Sequence, residues 1–534
     1  MSGQSPQIDS YQQFRQELAG LIQQGLQQML IRLFNKRRIG FKPEIEVTGL
    51  GDGRLANTDE SVVARAVGGS LVEPIQLQVT LCGKDGSWTW RVGDLPWMTE
   101  TGALIDNGYE RFMLMQLRRQ SSPEIADPWR LDHFRVYRIG DFLREAVKKW
   151  QEWLEKRLLK GFSEGVLLDF RQCKEELIKA NRGRREQTLF TQLMQEVIQK
   201  NPLSQRVILE DQSGGRLKRA CLSRGITYKG PRGPETQDNQ EEYLREPRQF
   251  HWSHIGRLCP LDTSQGDDVG LTLALTVSAR IDAEGRIGAR YREVLHTEAG
   301  IRIGENDVFL HAGDKAALDG WIAFPDQRKA LENGEEVYAH CGSERLKRVK
   351  AGDVRYIHAE DSDLFGLAAN LLPYRQHNNP LRGTMACHFL RQALPLSEKV
   401  LPRIRTPFEI GQDIAYGREL RVGYLPWYGY NFEDALVISE SAAEALTSVN
   451  TWRVRFRLLR SEADHNVSYA IRRRNDISAI PHIDPAKYDE RGFIWVGKCI
   501  AANEPLALEP PLSERRNQDP THRFNLHDDP KRRA

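Results

Sequence analysis

The hydrophobic period of this sequence changes along the chain, and that change restricts the folds open to it. Phe14, Leu18, Leu21, Ile22, Leu26, Met29, Leu30 and Leu33 recur every three or four positions, which predicts a helix over Tyr11 to Phe34. Ser10, with Gln13 three residues on, supplies a capping-box start. The spacing returns at Leu143, Val147, Trp150, Trp153, Leu154 and Leu158, with Gly161 as a stop, and most of 141–200 reads as helical. Gln76-Leu77-Gln78-Val79-Thr80-Leu81 instead alternates, as a half-buried strand does. Leu271 to Ile281 and Ile287 to Val294 are strand-like runs flanking Asp282-Ala283-Glu284-Gly285-Arg286, a hairpin signature, and 300–375 is strand-like too. Residues 212–250, rich in Gly, Arg, Gln and Pro, read as a long loop, and the polar tail after Glu509 as disordered. Blocks of helix and blocks of strand make an α+β multidomain chain, and 534 residues suffice for about three or four domains.

Several function classes are excluded early. No apolar run reaches the length of a membrane-spanning helix, and the segment MSGQSPQIDS lacks the layout of a secretory signal. The net charge of +3 excludes a histone-like polycation, though not a local basic surface. Seven dispersed cysteines without a CxxC pair point to reduced thiols in a cytoplasm. His251, His254 and Cys259 offer three zinc-type ligands but no fourth, so a hydrogen-bonded loop is the simpler account. There is no GxxxxGK[ST], HExxH or GxSxG, and GLGDG at 49–53 reads as a turn.

Three segments carry unusual chemistry. In Leu425-Pro426-Trp427-Tyr428-Gly429-Tyr430-Asn431-Phe432-Glu433-Asp434-Ala435-Leu436-Val437-Ile438-Ser439, two adjacent carboxylates follow an aromatic loop and precede a strand-like apolar run. Such a pair is tolerable near a cation or donor, and by residue type alone a solvated loop also accounts for it. In His377-Asn378-Asn379-Pro380-Leu381-Arg382-Gly383-Thr384-Met385, Arg382 can present a bidentate guanidinium to phosphate. Gly256-Arg257-Leu258-Cys259-Pro260-Leu261-Asp262-Thr263-Ser264-Gln265-Gly266-Asp267-Asp268-Val269-Gly270-Leu271 is turn-rich and suits a loop beside a ligand backbone.

Together and in this order, these segments resemble the β (second-largest) subunit of bacterial multisubunit RNA polymerase. GYNFED, residues 429–434, is the most specific match; 256–271 resembles the family's fork, and Arg382 to Pro395 its RALMG to RQAVP segment. Gly93-Asp94-Leu95-Pro96-Trp97-Met98 with Asn107-Gly108-Tyr109-Glu110-Arg111 resembles the protrusion, and Asn201-Pro202-Leu203-Ser204 the short NPLS element. The resemblance implies an RNA polymerase β-like protrusion over 1–125, a reduced helical lobe over 126–200, and the fork with return of the protrusion over 201–300. It further implies a β-rich, NTP-contacting region over 301–400, the first part of a double-psi β-barrel with a following β region over 401–508, and a tail over 509–534.

The implied function is template-directed nucleotidyl transfer by a DNA-directed RNA polymerase, with this chain as one subunit, inactive alone, in the cytoplasm. The alternative is a non-catalytic β-like paralogue that binds polymerase subunits or nucleic acid. Mg2+ would be held mainly by aspartates of a β′-type partner, which this sequence lacks. By the resemblance, Arg382 reaches the incoming triphosphate, and Glu433 and Asp434 lie near the second metal, with Asp434 as its indirect contact. Gln392, Arg391 and His388 line the RNA or substrate region, and Arg257 and Gln265 border the nucleic-acid channel. The implied partners are α-type subunits, DNA template, RNA, and a separate chain carrying the C-terminal half of β, since the family's later lysine-bearing segment is not found here. Ser264, Gln265, Asp267 and Asp268 depart from the fork pattern, as Leu381 and His388 depart from two family asparagines.

Overall fold

A computed structural model describes residues 5–37, 42–50, 54–67, 69–82, 86–120, 130–162, 170–184, 187–207, 215–228, 248, 250–266, 269–298, 300–342, 346–393, 406, 418–447, 484–488 and 495. The chain divides into two compact units, 1–453 and 454–534. The expected tail after Glu509 and the fork residues Asp267 and Asp268 lie outside the described residues. Among the described residues no helix is long and apolar enough to cross a membrane.

Helix α1 (Pro6–Arg37) carries the expected apolar stripe, with Phe14, Leu18, Ile22, Leu26, Leu30 and Leu33 buried. It begins earlier than Ser10, however. Pro6 occupies its first position, where the missing N–H costs nothing, and the Ser5 carbonyl accepts from Ile8 N and Asp9 N. The Ser10 hydroxyl therefore caps no turn of its own helix; it accepts from Gly140 N (3.1 Å). Gln7 does the same for Ile139 N (2.8 Å) and donates to the Met113 carbonyl (2.6 Å). These are among the unsatisfied first N–H groups of the helix over Ile139–Gly161. The two helices approach so closely there that a Cβ on Gly140 would lie 2.3 Å from the Ser10 carbonyl oxygen.

α2 spans Thr58–Val67, and α3 (Ile139–Gly161) is followed by α4 (Phe170–Ala180) and α5 (Leu189–Gln199). Helix α3 ends at Gly161 as expected and buries Leu143, Val147, Trp150, Leu154 and Leu158 against α1 and α5. The Trp150 indole donates to Asn181 Oδ1 (2.9 Å), whose amide donates to the Val92 carbonyl (2.8 Å), so both of these buried side chains find partners inside the core. On its other side α1 packs on the antiparallel sheet of β1 (Lys42–Gly49), β2 (Val72–Cys82) and β3 (Gly86–Pro96). Strand β2 contains the alternating run, with Leu77, Val79 and Leu81 inward.

β4 (Leu104–Asp106), β5 (Tyr109–Met113) and β8 (Ser204–Val207) form a small sheet. A mixed five-stranded sheet follows the order β10 (Leu258–Thr263), β11 (Thr272–Leu275), β9 (Gly225–Thr227), β6 (Met115–Arg119), β7 (Phe134–Tyr137). The expected long loop over 212–250 is overturned in part, because Gly215–Ser223 is a helix, α6, that leads directly into β9. Strand β9 is central to the sheet, parallel to β6 and antiparallel to β11, so those backbone groups are bonded within the ladder.

The third sheet holds β12 (Arg280–Ile281), β13 (Ile287–Thr297), β14 (Gly300–His311), β15 (Trp321–Ala323), β16 (Val337–His340), β17 (Lys347–Val349) and β18 (Val354–His358). The predicted hairpin is present. Ile281 pairs with Ile287, and Asp282 accepts from both Arg286 N (2.8 Å) and Arg286 Nε (2.7 Å). Short helices α7 (Lys315–Asp319) and α8 (Arg328–Glu332) pack along this sheet; α9 (Leu367–Asn370), α10 (Pro380–Gln392) and α11 (Glu440–Ala445) follow. In the second unit the described residues form a turn over Pro485–Lys487, closed by Trp495 N donating to the Lys487 carbonyl.

Candidate functional site

The fork segment is built around a thiol-rich core. Leu217 and Cys221 of α6, Cys259 of β10, Leu367 to Ala369 of α9 and Cys387 of α10 bury one another. Burial pushes the Cys221, Cys259 and Cys387 thiols upward, so they behave as small apolar groups rather than reactive thiolates. Among the described residues no group of His, Cys, Asp and Glu could hold a metal. His251 and His254 lie in the hydrogen-bonded turn, where the His251 ring accepts from Ser253 N (3.0 Å).

Arg257, expected at the nucleic-acid channel, faces inward. It is 2 % exposed, and its guanidinium donates to the carbonyls of Ile287 (3.2 Å), Ser253 (3.2 Å) and Leu310 (2.9 Å). In that position it ties β10 to β13 and β14 and offers nothing to a phosphate. Gln265 is exposed at the tip of the fork turn, which Thr263 closes by accepting from Gly270 N (2.8 Å) and donating to the Thr272 carbonyl (2.9 Å).

Helix α10 carries four of the expected residues. Asn379 caps it, accepting from Arg382 N (2.8 Å), and Pro380 takes the first position. Gly383 and Cys387, one turn apart, face the core. That leaves Arg382 exposed in the first turn, and its side chain makes no hydrogen bond or ion pair among the described residues. At the other end the Gln392 amide donates to the His388 ring (2.9 Å). Arg391 turns inward, 3.4 Å from Asp262 and donating to the Thr263 carbonyl (3.2 Å). Asp262 is 1 % exposed, and neither of its oxygens accepts a hydrogen bond. Burial raises its carboxyl, and Arg391 opposes that rise. The pair locks the fork strand onto the helix that bears Arg382.

Residues 425–435 form a run of turns. The Asn431 side chain clasps it, accepting from Trp427 N (2.9 Å) and donating to the Leu425 carbonyl (2.7 Å). Gly429 sits at φ +80, and Tyr428, Glu433 and Asp434 hold left-handed backbone at φ 50, 50 and 63. A left-handed residue other than glycine costs about 1–2 kcal/mol, less for Asp, so the acidic pair occupies a strained turn. The strand-like run expected over Ala435 to Val437, and with it the start of a double-psi barrel from Leu420, forms no strand; Ser439 instead caps α11. Strands need neighbours to bond, and none of the described residues supplies them here. No hydrogen bond or ion pair among the described residues joins Arg382 to Glu433 or Asp434. Tyr424, Tyr428, Tyr430, Phe432 and Leu436 are each at least 74 % exposed, a large apolar surface that none of the described residues covers.

Sequence reasoning missed α6, which lies within the expected loop. Its one local signal was Leu217 and Cys221 at helical spacing.

Comparison with known proteins yields two family models, RNA polymerase Rpb2, domain 3, over residues 232–281 and RNA polymerase Rpb2, domain 6, over residues 368–530. The DNA-directed RNA polymerase subunit beta of Bifidobacterium longum (strain DJO10A) is 23% identical over 464 residues, covering 70% of this chain and 36% of that protein. Its counterpart in Porphyromonas cangingivalis is 30% identical over 168 residues, 31% of this chain and 13% of that one. The Thermotoga sp. (strain RQ2) subunit is 28% identical over 224 residues, 41% and 16% of the two chains. This chain thus spans about a third of the Bifidobacterium relative. It is similar to bacterial-type RNA polymerase β subunits and has diverged far from them, which bears out the resemblance read from its motifs.

Proposed function

We propose that this chain is a β-type subunit of a cytoplasmic DNA-directed RNA polymerase and forms the wall of the active site that receives the incoming nucleotide. Its relatives are polymerase subunits, which favours this reading over a non-catalytic paralogue. The observation that carries it is Arg382. An arginine whose backbone is held in the first turn of a capped helix, with its guanidinium exposed and unpaired among the described residues, is poised to take a triphosphate oxygen pair. Its helix is latched to the fork by Arg391 and Asp262, so the fork and the nucleotide contact move as one piece.

Glu433 and Asp434 alone do not make a resident Mg2+ site, and no third donor joins them among the described residues. We therefore assign the metal ions to a β′-type partner, and to Asp434 at most an indirect contact. The chain alone is inactive on this reading. The exposed aromatic segment around residues 424–436 is where partner chains dock. α-type subunits, template DNA and RNA complete the assembly.

The test is single-nucleotide extension of an RNA primer by the purified, assembled complex. Arg382→Ala should slow nucleotide addition by about a hundredfold or more, as loss of one positioned donor does elsewhere. Unchanged addition would remove Arg382 from the site.

A further inference from the structure

We infer that Arg375 is the positioning residue that aims Arg382: it pins the exposed segment joining α9 to α10, and so fixes where α10 presents that guanidinium to the nucleotide. The inference rests on the polymerase reading and adds to it a residue that acts through Arg382 rather than on substrate.

Burial singles the residue out. Every residue from Pro373 to Arg382 is exposed except Arg375. Its Nη1 donates to the Ala369 carbonyl (3.1 Å) and to Asn370 Oδ1 (3.1 Å), and its guanidinium lies over the Phe365 ring, 3.6 Å from the centroid. Among the described residues no other side chain of 373–382 bonds outside that segment. The groups that hold Arg375 are themselves fixed. Asn370 is buried, and its amide donates to the carbonyls of Ser362 (2.9 Å) and Phe365 (3.1 Å). The Phe365 carbonyl also accepts from Val277 N (3.0 Å), just past β11. Gly366 lies against β10, where a Cβ would come within 3.2 Å of the Cys259 Cβ. Arg375 thus ties an exposed segment to the frame of the fork sheet.

The chain between this anchor and Arg382 leaves little slack. Tyr374 holds left-handed backbone at φ 53, and its carbonyl accepts from His377 N (2.9 Å) and the Asn378 side-chain amide (3.2 Å). Asn378 N donates to the Arg375 carbonyl (3.2 Å), and Asn379 then caps α10 by accepting from Arg382 N. A residue other than glycine stays left-handed only where its surroundings hold it, and the neighbouring anchor does so here. Helix α10 is therefore held at both ends, by Arg375 ahead of its first turn and by Arg391 in its last, with Gly383 against Leu261 between them. Without Arg375 the segment keeps its internal bonds and loses its side-chain tie to the sheet. A bidentate contact tolerates that badly, since a displacement of about 1 Å can cost about a hundredfold in rate.

The test is a double-mutant cycle on single-nucleotide extension by the assembled complex, with Arg375→Met, Arg382→Ala and the two combined. Arg375→Met should raise the nucleotide KM and lower kcat/KM by about tenfold or more, with affinity for the RNA–DNA hybrid unchanged. Added to Arg382→Ala it should have no further effect, because it acts through that residue. Phe365→Leu removes the stacked ring and leaves the hydrogen bonds, so it should lower kcat/KM in the same direction by less. That variant decides the matter if the Met variant does not assemble: wild-type kinetics in Phe365→Leu would then overturn the inference. Wild-type kinetics in Arg375→Met, or a loss that multiplies with that of Arg382→Ala, overturns it too, as does a loss carried by weaker hybrid binding. If Arg382→Ala alone leaves addition unchanged, the assignment of Arg382 fails; a normal Arg382 effect beside an Arg375→Met of wild-type rate defeats this inference alone.

Discussion

Arg257 gives the sharpest test of the physical account, because its motif match and its environment lead to opposite expectations. As a channel residue it would lose affinity for nucleic acid on substitution and leave stability intact. As a buried residue it holds three carbonyls at 3.2, 3.2 and 2.9 Å. In Arg257→Met a side chain of similar length fills the volume but donates nothing, so all three carbonyls lose a charged donor, while the Ile287 carbonyl keeps its bond from Ala312 N (3.1 Å). Each loss costs about 1–3 kcal/mol, partly offset because the charged guanidinium no longer has to be desolvated. A net loss of about 3–5 kcal/mol follows, comparable with other broken buried polar networks. It should be local, since the three carbonyls belong to the turn at Ser253 and to strands β13 and β14. Hydrogen exchange followed by mass spectrometry on peptides spanning 253–263 and 287–311 should therefore lose about a hundredfold or more in protection, with peptides of α1 and β1 to β3 unchanged. Unaltered exchange, together with a salt slope lowered by one phosphate contact, would refute the reasoning and return Arg257 to the channel.

Three further outcomes follow from the same structure. His340 and His358 are buried and share a hydrogen bond, Nε2 to Nε2 at 2.9 Å; burial and Arg257 hold His340 down to about 3, and burial, His340 and Arg257 hold His358 well below its ordinary value. Both stay neutral in the native fold while the unfolded chain takes up protons below about 6.5, so stability is complete above that pH and falls as the pH drops toward 3, by about 2 kcal/mol per histidine at pH 5; urea unfolding at pH 7 and 5 checks this, and His340→Gln should weaken the dependence. Gly140→Ala should cost about 1–3 kcal/mol by thermal unfolding, because the new Cβ meets backbone that α1 cannot move cheaply. Arg391→Met should destabilise the chain by about 3 kcal/mol or more and Asp262→Asn by clearly less, since the first strands a buried carboxylate and the second removes one; equal losses in urea unfolding would contradict the pairing.

Periodicity made α1, α3, β2 and the Asp282–Arg286 hairpin legible, because each buries one face and its pattern needs nothing beyond local sequence. Tertiary partners hid the rest. The Ser10 hydroxyl matched a cap, yet the nearest unsatisfied N–H group belongs to Gly140, about 130 residues away. Helix α6 shows only one helical pair, Leu217 and Cys221, and strand β9 is three residues long, so neither sustains a period; they form because the thiol-rich core and strands β6 and β11 receive them. A motif fixes that an arginine stands at 257 but not whether its guanidinium points in or out. In the candidate site, Arg382 as an exposed cation and the loop before Ala435 were legible, but the Asn379-capped helix that carries Arg382 and the Asn431 clasp were not. The inward turn of Arg391 depends on contacts between α10 and β10 that no local pattern encodes.

The most direct measurement of the central claim is the structure of the assembled complex with an RNA–DNA hybrid and a non-hydrolysable nucleoside triphosphate. The account predicts the Arg382 guanidinium within hydrogen-bonding distance, about 3 Å, of a triphosphate oxygen, with Asp434 facing the same nucleotide from the clasped turn. A nucleotide bound elsewhere, or Arg382 and Asp434 facing different surfaces of the assembly, would contradict it.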